Sequence, residues 1–182
     1  MGVRQDILPL YCYGHTNITH EGAVIHYYSA VNVDPDNKFD YLTNRRLMLD
    51  LNRPYDQREW YPMLNQKPRL YASYHYMIPR DGNPIQLVPL NKRAYHAGQS
   101  VINGRENLNN WTIGITMIAT HTSGFTENQY DWGARLCHIH GLKTNQVWGH
   151  EHVSPGRRQD PGPQFDWTKL KRKIRERYTG TI

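Results

Sequence analysis

The chain has 182 residues, 38% hydrophobic and 21% charged, which fits one folded domain with a real core rather than a disordered chain. No apolar run approaches the roughly 20 residues of a membrane helix, and two distant cysteines, Cys12 and Cys137, make neither a disulfide framework nor a zinc ribbon and read as small buried hydrophobes. The formal net charge of +6 points to a polyanionic partner such as nucleic acid, anionic lipid or a wall polymer.

In chain order, MGVRQDILPLYCYGH lacks a basic stretch followed by an apolar one, so no secretory signal is expected and synthesis falls in the cytosol. Asp6 stands where a myristoylation signal needs Ser or Thr. GAVIHYYSA, 22–30, reads as a buried strand with Val24, His26 and Tyr28 on one face. DYLTNRRLMLDLNR, 40–53, carries Leu42, Leu47 and Leu51 at near-helical spacing. RLYASYHYMIPRDGNPIQLVPL, 69–90, predicts two strands joined by a turn at Asp81-Gly82. The polar, turn-rich segment 91–110 is long for a connection and has the character of a functional loop. WTIGITMIA, 111–119, is an apolar strand. Thr126 and Gln129 fit a capping box opening a helix that runs to Gly141. QVWGH predicts a short strand, and Asp166 an N-cap for a last helix with Trp167, Leu170, Ile174 and Tyr178 on one stripe. Strands and helices mix without repeats or linkers, so the expectation is one α/β domain over 1–182.

The ten histidines raise the question of a metal. His138 and His140, two apart on a helix, point in different directions and cannot share an ion. His15, His20 and His121 fall in expected loops and carry no usable pattern. His150 and His152 would share a face if their stretch is a strand, which keeps an HEH pair open as a metal site. His26 sits in an otherwise apolar and aromatic strand, where a buried imidazole needs a partner. Zinc accepts imidazole and carboxylate, and three protein ligands leave a fourth place for water. His26, His150 and Asp160 would supply such a set, and spacing alone only suggests it.

The blocks IHYYSA around His26, SYHYMIPRDGNPIQLVP at 73–89, AYHAG at 94–98, GREN and NWTIGI within 104–115, and GHEHVSPGRRQDPGPQFDW at 149–167 occur in one order. Together they resemble the zinc-dependent N-acetylmuramoyl-L-alanine amidases, a family that includes amidase-type phage lysozymes, cytosolic anhydromuropeptide amidases and animal peptidoglycan recognition proteins. The resemblance implies a mixed central β-sheet flanked by helices, with a zinc groove on one face. It implies Zn2+ held by His26, His150 and Asp160, which leaves His152 outside the ligand set. The implied substrate is the amide between N-acetylmuramic acid and L-alanine of peptidoglycan.

Zinc would acidify a water and polarise the scissile carbonyl, and the resulting oxyanion needs a further donor. Arg158 stands where many members carry lysine and takes that role by resemblance; a loop surface cation is the plainer alternative. Cytosolic members carry a glutamate just after IGI, where this chain has Thr116. Phage members lack it and place a tyrosine before the hairpin histidine, as Tyr74 stands before His75 here. Tyr74 is then expected to orient or shuttle the proton, against a simple packing role. His96 matches a groove position that hydrogen-bonds substrate, Arg105 and Asn110 lie near the same rim, and Tyr95 offers a ring to the glycan.

KLKRKIRERY, 169–178, holds six basic residues and one glutamate. A solvated helix face is the plain reading, and contact with anionic envelope polymers the sharper one. No nucleic-acid motif accompanies the charge, so no nucleic-acid partner is expected, and the protein is expected to be a monomer. Two function classes follow: a hydrolase, and a recognition module that grips muropeptide without cutting it. Non-cutting members typically lose a ligand and none is lost here, which favours the enzyme. The Tyr74 and Thr116 pattern, the basic charge and the lack of a wall-binding module favour a phage-type endolysin that reaches the wall after membrane permeabilisation. A muropeptide-recycling amidase is the alternative.

Overall fold

The computed structural model describes residues 2–29, 39–58 and 69–180. Ala30 and most of the long connection between residues 29 and 69, other than its helix, lie outside these residues. The central sheet holds six strands: β1 (Arg4–Gln5), β3 (Gly22–Tyr28), β4 (Tyr76–Ile78), β5 (Ile85–Gln86), β9 (Thr112–Ile118) and β10 (Val147–Gly149). Their order is β1-β5-β4-β9-β3-β10. Only the hairpin pair β4·β5 is antiparallel; the others run parallel. Four α-helices accompany it: α1 (Tyr41–Asn52), α2 (Glu127–Ile139), α3 (His150–Val153) and α4 (Trp167–Thr179).

Alternation along β3 and β9 divides the core. Ala23, Ile25, Ile113, Ile115 and Met117 face α2 and α4, where they meet Ala134, Leu136, Leu170 and Ile174. Full burial of side chains such as Leu170 and Ile174 contributes roughly 1.5–3 kcal/mol each. The opposite face presents Tyr28, Met77 and Ile118 to Leu47 and Met48 of α1. Sheet and helices thus form the mixed, helix-flanked architecture expected from the sequence.

The local signals act as the sequence indicates. The Thr126 hydroxyl accepts from the Gln129 N–H and the Gln129 side chain accepts from the Thr126 N–H, a complete capping box on α2. Asp40 caps α1 and Asp166 caps α4, each side chain accepting from the N–H three residues on. Gly141 follows α2 with φ of 70°, a left-handed position suited to glycine.

Other expectations need correction. Leu42 is 72% exposed, so the buried face of α1 runs through Asn44, Leu47 and Met48 instead of the leucine stripe. Only short parts of 69–90 pair as strands. The segment 91–110 is more ordered than its composition indicates. It contains β6 (Lys92–Ala94), which pairs with β2 (Tyr13–Asn17), and a small hairpin of β7 (Val101–Ile102) and β8 (Arg105–Glu106). His15 lies in β2, not in a loop. Both cysteines are buried and free, and burial pushes their thiols up to about 12.

Part of the basic charge of the C-terminal helix is paired within the fold. Lys173 pairs with Glu127 and Asp131, Lys169 with Glu127, and Arg172 with Glu176. Arg177 donates to the Asp131 carbonyl. The contacts of Lys169, Lys173 and Arg177 tie α4 to α2 and occupy three of the cations that the envelope reading left outward. Among the described residues no helix is long and apolar enough to cross a membrane.

Candidate metal centre

Parallel register sets the first part of the site. His26 of β3 aligns with Thr116 of β9, so both side chains leave the same face of the sheet. That face is the one opposite α2 and α4. β10 lies on the other side of β3 and ends at Gly149, delivering His150 beside His26 as the first residue of α3. The site therefore sits at the carboxyl ends of neighbouring parallel strands, where open α/β sheets leave a crevice.

The loop after α3 returns the third residue. Glu151 fastens it twice: its N–H donates to the Asp160 carbonyl and its carboxylate accepts from the Gly162 N–H, at 2.9 and 3.0 Å. Asp160 Oδ2 then lies 2.9 Å from His26 Nδ1 and 3.3 Å from His150 Nδ1. One ligand atom from each of His26, His150 and Asp160 falls within 4.8 Å of the others, the one group of metal-ligating type among the described residues. His152 is turned away by the single helical turn. Its Nδ1 accepts from the Gly149 N–H and its ring packs on Trp167, which removes the HEH pair as a metal site.

The donor set fits a cation. His150 Nε2 faces the Ala97 carbonyl at 3.0 Å. A carbonyl only accepts, so Nε2 carries a proton and Nδ1, beside Asp160, is the nitrogen left for a metal. His26 is fully buried, and burial lowers its pKa to about 4 despite the neighbouring Asp160 carboxylate, so it is neutral at pH 7. Burial alone would raise Asp160, but the facing His150 and His26 imidazoles more than offset it and hold the carboxylate below its ordinary range. Two imidazole nitrogens and one ionised carboxylate thus converge, a ligand set that zinc accepts.

These residues open onto a groove of about 600 Å³ lined by Tyr27, Tyr74, Tyr95, His150, Arg158 and Asp160 among others. Tyr74 is nearly buried, its ring 4.9 Å from that of His26. Burial, with a smaller contribution from Asp160, pushes its phenol well above the usual range. It can donate a hydrogen bond but is not a base near neutral pH. Arg158 lies exposed on the groove wall, with its backbone N–H held by the Ser154 carbonyl. Tyr95 borders the groove with Tyr71, their rings 5.3 Å apart.

Of the expected substrate contacts, His96 lines the groove and two others sit elsewhere. His96 is largely buried in the groove lining beside His26, with its ring nitrogens directed at His26 and Thr112. Arg105 pairs with Glu21 and stacks over Trp111, outside the groove lining. The Asn110 side chain accepts from Arg93 and also lies outside that lining.

Three residues that sequence reasoning passed over organise the site. Arg157 Nη2 donates to the Ala97 and Gln99 carbonyls at 2.6 and 2.7 Å, fixing the 97–99 turn. Asn109 Oδ1 accepts from the N–H groups of His96 and Ala97. Glu151 closes the ligand loop as described. Their positions inside the recognised blocks were the available signal, but their bonds are to distant backbone, which spacing does not reveal.

A family model described as N-acetylmuramoyl-L-alanine amidase matches residues 16–163. The chain belongs to this family. Among curated relatives, the 1,6-anhydro-N-acetylmuramyl-L-alanine amidase AmpD of Citrobacter freundii is 40% identical over 106 residues, covering 56% of this chain and 57% of that protein. The match thus spans less than two thirds of that relative's length. A crystal structure of an AmpD derivative superposes with a TM-score of 0.71 at 26% identity, covering 94% of each chain. A mutant endolysin from Bacillus subtilis shares the fold at a TM-score of 0.63 and 16% identity, covering 96% of this chain and 99% of that one.

Proposed function

We propose that the protein is a zinc-dependent amidase that cleaves the bond between N-acetylmuramic acid and L-alanine of peptidoglycan. The observation that carries this reading is the convergence of His26, His150 and Asp160, the last two lining an open groove, in a chain of this family. His26, His150 and Asp160 would hold the ion. Zinc bound there supplies an acidified water and polarises the scissile carbonyl. The Arg158 side chain, on the groove wall, supplies a fixed positive charge for the developing oxyanion. Tyr74, kept protonated by burial, donates a hydrogen bond beside His26. Thr116 has no acid–base chemistry near neutral pH, and Tyr74 holds its proton, so no side chain of this group acts as an ordinary carboxylate base.

A recognition module without cleavage is disfavoured because the three-ligand set is complete. The tyrosine-without-glutamate pattern supports a phage-type endolysin acting on the wall after membrane permeabilisation. The 40% identity to an enzyme named for a 1,6-anhydro substrate favours a second reading, a recycling amidase that takes soluble anhydromuropeptide. Incubating the protein with intact sacculi and with 1,6-anhydromuropeptide, and identifying products by mass spectrometry, tests both. Release of free stem peptide that Asp160→Ala abolishes supports the amidase, and the preferred substrate decides between the two roles. Tight muropeptide binding with no cleavage by the zinc-loaded protein would contradict the amidase.

A further inference from the structure

Beside the metal groove lies a second cleft of about 430 Å³, lined by Leu70, Tyr71, Arg93, Tyr95, Gly98 and Asn109. Leu70, Tyr71, Tyr95 and Gly98 also line the metal groove, so the two spaces meet along the Tyr71–Tyr95 pair. Among the described residues no acidic side chain lines the cleft, and its one charge is Arg93. The Arg93 guanidinium lies over the Tyr95 ring, 5.5 Å from its centroid. On β2, a Cβ at Gly14 would stand 3.0 Å from Arg93 Nε, so the fold leaves room there for the guanidinium. Arg45, Arg53, Arg105 and Arg172 each pair with a carboxylate. Arg93 does not: among the described residues its guanidinium makes one hydrogen bond, from Nη1 to the Asn110 side-chain oxygen at 3.3 Å. Its charge therefore has no counter-ion there. Asn109 spends its Oδ1 on the His96 and Ala97 N–H groups, which leaves its Nδ2 hydrogens as further donors.

We propose that this cleft is a carboxylate subsite for the peptide half of the substrate, with Arg93 as its specificity-determining residue. The inference rests on the amidase reading, and the chemistry of a muropeptide gives it a direction. The carboxyl of muramic acid is taken up in the scissile amide, so the glycan half is uncharged. Every ionised carboxylate then lies on the stem peptide. A guanidinium receives a carboxylate through two parallel N–H donors, and an unpaired one at the end of a cleft free of acids selects the charged half. The peptide leaves the metal groove over Tyr71 and Tyr95 and sets a carboxylate against Arg93. Tyr95 borders the peptide in this arrangement, in place of the glycan expected from the sequence. The two arginines divide the work: Arg158 serves the reacting amide from the metal groove, and Arg93 reads the charge of the stem from the cleft beside it.

Two ligands test it: N-acetylmuramoyl-L-Ala-D-γ-Glu-L-Lys, and the same compound with its free carboxyls converted to carboxamides. Calorimetry on metal-free protein gives each Kd, and the zinc-loaded protein gives kcat and KM. Wild type is expected to bind the acid about tenfold or more tighter than the amide, the effect of one hydrogen bond to a charged group. Arg93→Gln is expected to lose that preference by weakening the acid alone, with KM raised and kcat within twofold of wild type. Arg93→Lys, which keeps the charge without the fork, recovers part of it. Equal affinity of wild type for acid and amide overturns the proposal, and so does a preference that survives in Arg93→Gln. Equal weakening of both ligands in that variant would mark Arg93 as structural and overturn it too. Should Arg93→Gln not fold, the Arg93 Nε–H resonance of wild type decides: it is expected to shift with the acid and not with the amide, and any other pattern rejects the subsite. Preferential binding of the acid with no cleavage of either compound by zinc-loaded protein upholds the subsite and overturns the amidase reading. Binding of neither compound overturns both.

Discussion

Thr116→Val tests whether the residue that replaces a family carboxylate is chemically silent. Thr116 is wholly buried, and its hydroxyl has no hydrogen-bond partner among the described residues. A buried hydroxyl left unpaired costs about 1–3 kcal/mol, and valine fills the same shape without it. The substitution is expected to raise the unfolding free energy by about 1 kcal/mol or more, with roughly 2–4 °C in Tm for each kcal/mol at this chain length. Chemical denaturation and calorimetry of the metal-free protein measure it. Because Thr116 stands in register with His26, the same variant reports on chemistry, and its kcat is expected to stay within twofold of wild type. Lower stability would show that the hydroxyl has a partner this account misses. A kcat lowered tenfold or more would refute the view that Thr116 takes no part in proton transfer.

Acid should act through His75. Burial holds this imidazole at about 4, while the unfolded chain titrates near 6.5. As pH falls between these values the unfolded state takes up the proton first, so stability is lost from about pH 6.5 down to pH 4, by roughly 3 kcal/mol in total. The contacts agree, since His75 Nδ1 accepts from the Gly114 N–H and protonation would set two donors face to face. Urea unfolding of metal-free protein across that range should show a shallower pH dependence in His75→Asn, and equal slopes would reject the assignment. Tyr74→Phe removes only the hydroxyl beside His26, so zinc affinity is expected to hold while kcat falls by about tenfold or more. A kcat unchanged with KM raised would make Tyr74 a substrate contact instead.

The parts of this fold that showed in the sequence are those with local causes. The β3 and β9 strands are continuous apolar runs, and the α2 and α4 caps are fixed by residues three apart. His26 stood out because an imidazole in such a run requires a partner. The two-residue strand β1 did not show, because it exists only through pairing with β5. His150 and His152 read equally well as strand or helix, and four residues are too few for periodicity to decide. His96 lies in one recognised block and Arg105 and Asn110 in the next, and sequence neighbours need not share a surface. The hairpin β7·β8 carries Arg105 away to Glu21, while His96, packed against Gly114, keeps its place in the groove lining.

The central claim is a zinc-dependent amidase built on His26, His150 and Asp160. Its most direct test is hydrolysis of purified peptidoglycan by the full chain, scored for new L-alanine amino termini, with chelator and then with zinc restored. The account predicts release that stops with chelator and returns with zinc in wild type, and no release from Asp160→Ala at any zinc concentration. No release from folded wild type with zinc confirmed bound would contradict it, and so would release that chelation leaves unchanged.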